Sequence, residues 1–220
     1  MLIEIEKGKN IHYKKCGSGK SLIMVHGNGE DLTIFDESVE KLKNYFTVYA
    51  IDSSGHGKSY SLNEYHYDLM ASDIYKFIKA LDIENPIFYG FSDGGILGLM
   101  LASKYPTLFS ALIVSGANLN PKGLKNVSYL GMKIEYVFKK SPLVKMMITE
   151  PNISADDLHK ITCDTYILAG SNDVISKKHT KYIADNIKNS HLMILDKESH
   201  GSYIVHSTKI ANIIIDIINR

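Results

Sequence analysis

The sequence predicts an α/β fold in which a mostly parallel, eight-stranded sheet is covered by helices on both faces. Three observations carry that expectation. From residue 21 onward, short apolar runs alternate with longer amphipathic ones, the pattern of repeated strand-helix-strand units. The short runs are apolar nearly throughout rather than at every second position, as strands buried on both faces are. One junction, Gly90-Phe91-Ser92-Asp93-Gly94, sets a serine between two glycines where an apolar strand must turn sharply into a helix.

Each element has its own signal. Residues 1 to 16 read as two strands joined at Gly8-Lys9-Asn10, a hairpin turn. A strand at 22–26 is followed by a helix near 34–45, a strand at 47–52 and a helix near 67–81. Asn85-Pro86-Ile87-Phe88-Tyr89 is a short buried strand entered through proline, and the helix of residues 94–105 is ended by Pro106. After a strand at 111–115 the alternation breaks. It resumes with a strand at 165–169, a helix at 177–187, a strand at 191–195 and a final helix at 203–218.

The core is therefore expected to comprise residues 1–118 and 164–220, with a small helical insertion at 119–163. Inside the insertion, helices are expected near 126–140 and 143–149, with a return through 151–159. Between 119 and 149 six lysines stand against one glutamate, beside Leu130, Ile134, Val137, Phe138 and several methionines. The apolar face is expected to roof a pocket, with Met132 and Tyr136 as candidate substrate contacts. The basic face is expected to be solvated, with contact to an anionic substrate or a membrane surface as the alternative.

Composition excludes several function classes. With 220 residues, 45% hydrophobic, the chain fills one core and leaves no room for a second full domain. A net charge of +1 and no Lys/Arg stripe argue against nucleic acid as a partner. Cys16 and Cys163 stand far apart in no metal or redox spacing, so both are expected as reduced thiols in a cytoplasmic protein. Residues 1–9 lack a signal-peptide core, and no apolar run approaches the ~18 residues of a membrane anchor.

The chemistry concentrates where strands end. In open α/β sheets the ligand site lies beyond the carboxyl ends of the strands. Ser92 sits there as an exposed nucleophile, and the same turn points the Asp93 N–H at the place where an oxyanion would form. The loop His26-Gly27-Asn28-Gly29-Glu30-Asp31 supplies the Asn28 N–H as a second oxyanion donor, with His26 as a structural histidine. The loop Asp52 to Ser59 ends in Gly-Lys-Ser, yet Asp52 stands where a phosphate-binding loop needs glycine, so no nucleotide is expected. Asp173, at the rim after the strand at 165–169, is the acid that orients a histidine. Its rival Asp164 precedes that strand, at the wrong end. Of nine histidines, His200 lies between the last strand and the last helix; His191 opens the strand, and His206 falls in the expected helix.

The order Ser92, Asp173, His200 resembles the α/β-hydrolase family. The similarity extends to His26-Gly27, to Asp52 through Ser59, and to Gly170 through Asp173, and so covers essentially the whole chain. Within the family, Gly90 to Gly95, Lys104-Tyr105-Pro106 and Gly116-Ala117-Asn118 look like the group of small esterases containing valacyclovir hydrolase. That resemblance implies a serine hydrolase of a small ester, thioester or related acyl substrate, working without metal or organic cofactor. It also implies that the Asp93 side chain helps bind a substrate α-amino group. Carbon–carbon bond hydrolases, lactonases, peptidases and acyltransferases share the triad, as do some ligand sensors with little turnover. Ser54, where many relatives carry arginine or proline, and the short insertion are departures from the family pattern.

Overall fold

Eight strands form one sheet in a computed structural model that describes residues 1–219. They are β1 (Leu2–Glu6), β2 (Lys9–Cys16), β3 (Lys20–Val25), β4 (Phe46–Ile51), β5 (Ile87–Phe91), β6 (Ala111–Ser115), β7 (Asp164–Asn172) and β8 (Ser190–Ser199). Their spatial order is β1-β2-β4-β3-β5-β6-β7-β8. The pairs β1/β2 and β2/β4 are antiparallel, and every later pairing is parallel. β5 and β6 are buried at every residue, which is why their sequences show no polar alternation.

Helices cover both faces. On one side α2 (Tyr67–Ala80), α3 (Asp93–Lys104) and α7 (Lys177–Asp185) contribute Met70, Phe77, Leu97 and Ile183 to a core cluster. On the other, α1 (Asp36–Leu42) and α8 (Lys209–Ile218) contribute Val39, Leu42, Ile214 and Ile217. From β3 the chain moves to β4 on one side, then crosses back to β5 on the other side of β3. That reversal opens a crevice at the carboxyl ends of β3 and β5, the position at which such sheets bind ligands.

Between β6 and β7 the chain forms α4 (Asn126–Lys139), α5 (Pro142–Thr149) and α6 (Ala155–His159). Leu124 bridges Ile175, and Lys125 N donates to Val174 O at 2.8 Å, so this segment is tied to the loop after β7. Among the described residues no helix is long and apolar enough to cross a membrane.

β7 runs on to Asn172, past the expected 169, and α1 spans only Asp36–Leu42 of the expected 34–45; two further elements differ more. β8 runs through Ser199 rather than ending at residue 195, pairing along β7 as the last strand of the sheet. The final helix starts at Lys209, not 203: Ile204 and Val205 both donate to Gly201 O, a turn that drives Tyr203 and Ile204 into the core.

Candidate active site

Ser92 follows the last residue of β5 and precedes the first of α3, with φ 51° and ψ −113°. This is a conformation that a side-chain-bearing residue adopts only when its surroundings enforce it. The enforcement is visible: Ser92 N donates to Ser115 O at 2.8 Å, Gly94 N donates to His26 O at 3.1 Å, and Ile96 N donates to Ser92 O at 3.0 Å. The flanking glycines are steric necessities. A Cβ at Gly90 would overlap the Gly94 carbonyl, and one at Gly94 would overlap the Val25 carbonyl of β3.

Strand register brings the histidine and the carboxylate together. Asn172 and Ser199, the last residues of β7 and β8, pair with each other, and the residues that follow them are Asp173 and His200. His200 Nδ1 donates to Asp173 Oδ1 at 2.7 Å, and His200 Nε2 lies 3.1 Å from Ser92 Oγ. Gly116 makes room for the imidazole, since a Cβ there would sit 2.7 Å from His200 Cε1. The Phe91 ring packs at 4.9 Å between centroids on its other side. Burial pushes the Asp173 carboxyl up, but the hydrogen bond and charge of His200, with the Ile175 N–H, hold it below its ordinary value. Asp164, the rival acid, lies at the opposite end of β7.

The loop after β3 lies against this turn. His26 is buried; its Nδ1 donates to Gly27 O at 2.7 Å and its Nε2 accepts from Ser53 N at 3.1 Å. Burial pushes its pKa down to about 4, so the ring is a neutral strut, not a proton carrier. The N–H groups of Asn28 and Asp93 donate to no protein acceptor among the described residues. Asp52 accepts from Leu32 N, Lys58 N and His12 Nδ1 at 2.7–2.9 Å. A carboxylate binding the Gly-Lys-Ser loop from within is the opposite of a phosphate cradle.

A cleft of about 290 Å³ opens onto Ser92 and His200. Met132 lines it, with Leu124, Met147 and Ile175 completing an apolar wall. Tyr136 does not border it. That side chain lines a separate recess with Tyr65 and Lys140, because it lies one turn beyond Met132 on the same face of α4, past the end of the cleft. Four polar cleft residues, Ser128 among them, went unnoticed as site candidates in the sequence. Tyr67 donates through its hydroxyl to Asp93 Oδ1 at 2.8 Å. Glu30 accepts from Gly27 N at 3.0 Å, and Asn118 borders the cleft beside them. Burial pushes the carboxyls of both Glu30 and Asp93 up, with hydrogen bonds from Gly27, and from Asn28 and Tyr67, acting in the other direction.

Comparison with known proteins agrees with this architecture. Serine hydrolase BPHL of Mus musculus is 24% identical over 96% of this chain and 84% of its own length. Uncharacterized hydrolase YraK of Bacillus subtilis is 30% identical, over 48% of this chain and 40% of its own. The esterase EaEST from Exiguobacterium antarcticum superimposes with a TM-score of 0.86 at 22% identity, covering 100% of this chain and 99% of that one. A bromoperoxidase from Bacillus anthracis gives a TM-score of 0.87 at 19% identity, with 100% and 99% covered. These two structural likenesses speak to the fold alone. The family model for the alpha/beta hydrolase fold matches residues 20–140, more than half the chain and the span that holds the Ser92 turn; the chain belongs to the α/β-hydrolase family of enzymes.

Proposed function

We propose that this hydrolase cleaves a small carboxylic ester or thioester through an acyl-enzyme on Ser92. The observation that carries the reading is the continuous relay from Ser92 Oγ through His200 to Asp173, at 3.1 and 2.7 Å, beside a cleft of molecular size. Ser92 Oγ attacks the substrate carbonyl while His200 Nε2 takes its proton. The oxyanion that forms is held by the N–H groups of Asn28 and Asp93. Collapse of the tetrahedral species expels the alcohol or thiol, which leaves with the proton from His200. Water then attacks the acyl-Ser92 carbonyl, gives a proton to His200, and the acid departs with the serine restored. Asp173 accepts from Nδ1 throughout and stabilises the imidazolium.

The apolar wall of Leu124, Met132, Met147 and Ile175 suits a short acyl or alcohol chain. A second, finer reading is favoured by one feature: the Asp93 carboxylate borders the cleft, so acyl groups bearing an amine would find a counter-charge there.

Time-resolved mass spectrometry with p-nitrophenyl acetate, butyrate, octanoate and an amino-acid ester, run alongside nitrophenolate release, tests the proposal. Rapid turnover in wild type and none in folded Ser92→Ala is expected. Equal rates in the two proteins would remove Ser92 as nucleophile. A stable adduct on Ser92 with negligible turnover would replace the esterase with a ligand sensor.

A further inference from the structure

Helix α4 presents its apolar side to solvent. At 3.6 residues per turn, positions 127, 130, 134, 137 and 138 fall within a sector about 100° wide. Val127, Leu130, Ile134, Val137 and Phe138 are 84, 58, 50, 68 and 82% exposed. Beside them, Gly131 has nothing within 4 Å of the place its Cβ would occupy, and no residue of the helix is buried. The other side of the helix lines the cleft through Ser128 and Met132. Sequence alone suggested that the apolar side roofs the pocket. Of α4 only Met132 does so, joined by Met147 of α5 and Leu124, and the larger apolar stripe is left facing water. A contiguous patch of this kind on a folded protein marks an interaction surface.

Charge around the stripe says what kind. Six lysines and one glutamate lie between residues 119 and 149. Glu135 pairs with Lys139, and Lys145 reaches Glu64. Among the described residues Lys122, Lys125, Lys133 and Lys140 have no acidic partner; Lys133 lies over the Tyr129 ring, 4.5 Å from its centroid. Lys133 and Lys140 sit on α4 and at its C-terminal end, while Lys122 and Lys125 lead into its N-terminus.

We propose that α4 docks reversibly on an anionic lipid surface, with Val127, Leu130, Ile134, Val137 and Phe138 entering the acyl boundary and the lysines meeting the headgroups. A second copy of the chain fits less well. Stripe against stripe would bring two sets of lysines together, with only Glu135 and its counterpart to offset them. Docking through the stripe leaves the cleft, which Met132 and Ser128 line from the other side of α4, one helix diameter (~10 Å) from a surface where apolar acyl compounds collect. The inference rests on exposure and charge and is independent of the chemistry at Ser92.

Co-sedimentation with phosphatidylcholine vesicles, with and without about one-third phosphatidylglycerol, tests it. Wild type is expected to sediment with the anionic vesicles, little with the neutral ones, and less as salt is raised. Leu130→Glu combined with Phe138→Glu is expected to lower partitioning at least about tenfold, with circular dichroism and p-nitrophenyl acetate hydrolysis unchanged. The chain contains no tryptophan, so Phe138→Trp adds a single fluorophore whose emission should shift to the blue on anionic vesicles. Wild type remaining in the supernatant at low salt would overturn the proposal, as would equal binding by the double glutamate variant. A dimer that the glutamate pair dissociates, without vesicle binding, would assign the stripe to a second copy instead.

Discussion

The Asn28 side chain donates from Nδ2 to Oδ2 of Asp93 at 2.9 Å, joining the loop after β3 to the first residue of α3. These are the two residues whose N–H groups are proposed to hold the oxyanion. A donor loop that drifts loses its stabilisation of the transition state even though its N–H is still present. Asn28→Ala is therefore expected to lower kcat about tenfold with little change in KM, and with the melting temperature nearly unchanged. Tyr67→Phe leaves this tie in place and should cost less. Steady-state kinetics on p-nitrophenyl acetate decide the matter; an unchanged kcat in Asn28→Ala would show that the loop holds its position without the bond.

Strain at Ser92 predicts a conflict between stability and activity. At φ 51° a serine and an alanine pay similar backbone costs, whereas glycine pays little. Ser92→Gly should thus be more stable than Ser92→Ala by about 1–2 kcal/mol in urea unfolding, with both inactive. Equal stabilities would mean that the turn is relaxed in the absence of the hydroxyl.

Much of this site was legible in the sequence because steric rules write themselves into residue types. The Ser92 turn tolerates nothing larger than glycine at 90 and 94, since the Gly94 and Val25 carbonyls lie against them. Asp173 and His200 were readable from chain order and from their places after strands. The length of β8 was not: it lies at the end of the sheet, paired only with β7 and wet on much of both faces, so Asp196 to Ser199 carry no apolar signal. Tyr203 and Ile204 imitate a helix start because burial in a turn and burial on a helix use the same side chains. Glu30 and Tyr67 were invisible for a different reason. Tyr67 acts through Asp93 on another element, an approach that no local pattern records, and Glu30 binds the Gly27 N–H of its own loop, which gives no sign that the residue borders the cleft.

His26 should destabilise the fold in acid. Its folded pKa, about 4, lies below the unfolded value of 6.5, so between these limits the unfolded chain binds more protons. The stabilisation by neutral His26 is full above pH 6.5 and is lost as pH falls toward 4, amounting to about 3 kcal/mol for this group. His179, also pushed down by burial, acts in the same sense, whereas Glu30 and Asp93, pushed up by burial, act in the opposite one. The clean readout is therefore the ring signal itself. In proton–carbon NMR the His26 Cε1–H shift should stay at its neutral position down to about pH 5. A midpoint near 6.5 would contradict the buried, neutral strut.

Two carboxylates bordering one cleft predict a preference for cationic acyl groups. Asp93 lies at the start of α3, while Glu30 lies across Gly27 from the nucleophile. A Cβ built on Gly27 would be 2.8 Å from Glu30 Oε2 and 3.1 Å from Ser92 Cβ. Alanine methyl ester and methyl propionate have closely similar acyl skeletons and differ by the amine, so their ratio of kcat/KM isolates the charge. Asp93→Asn is expected to lower that ratio about tenfold, and Glu30→Gln a few-fold, since glutamine can still accept the Gly27 N–H. The wild-type ratio should also rise with pH as the two raised carboxyls ionise, until the substrate amine loses its own proton. Acid release followed in a pH-stat measures both. A ratio that neither variant changes would mean that these carboxylates serve only to hold the Gly27 and Asn28 loop, and that the substrate carries no cation at this site.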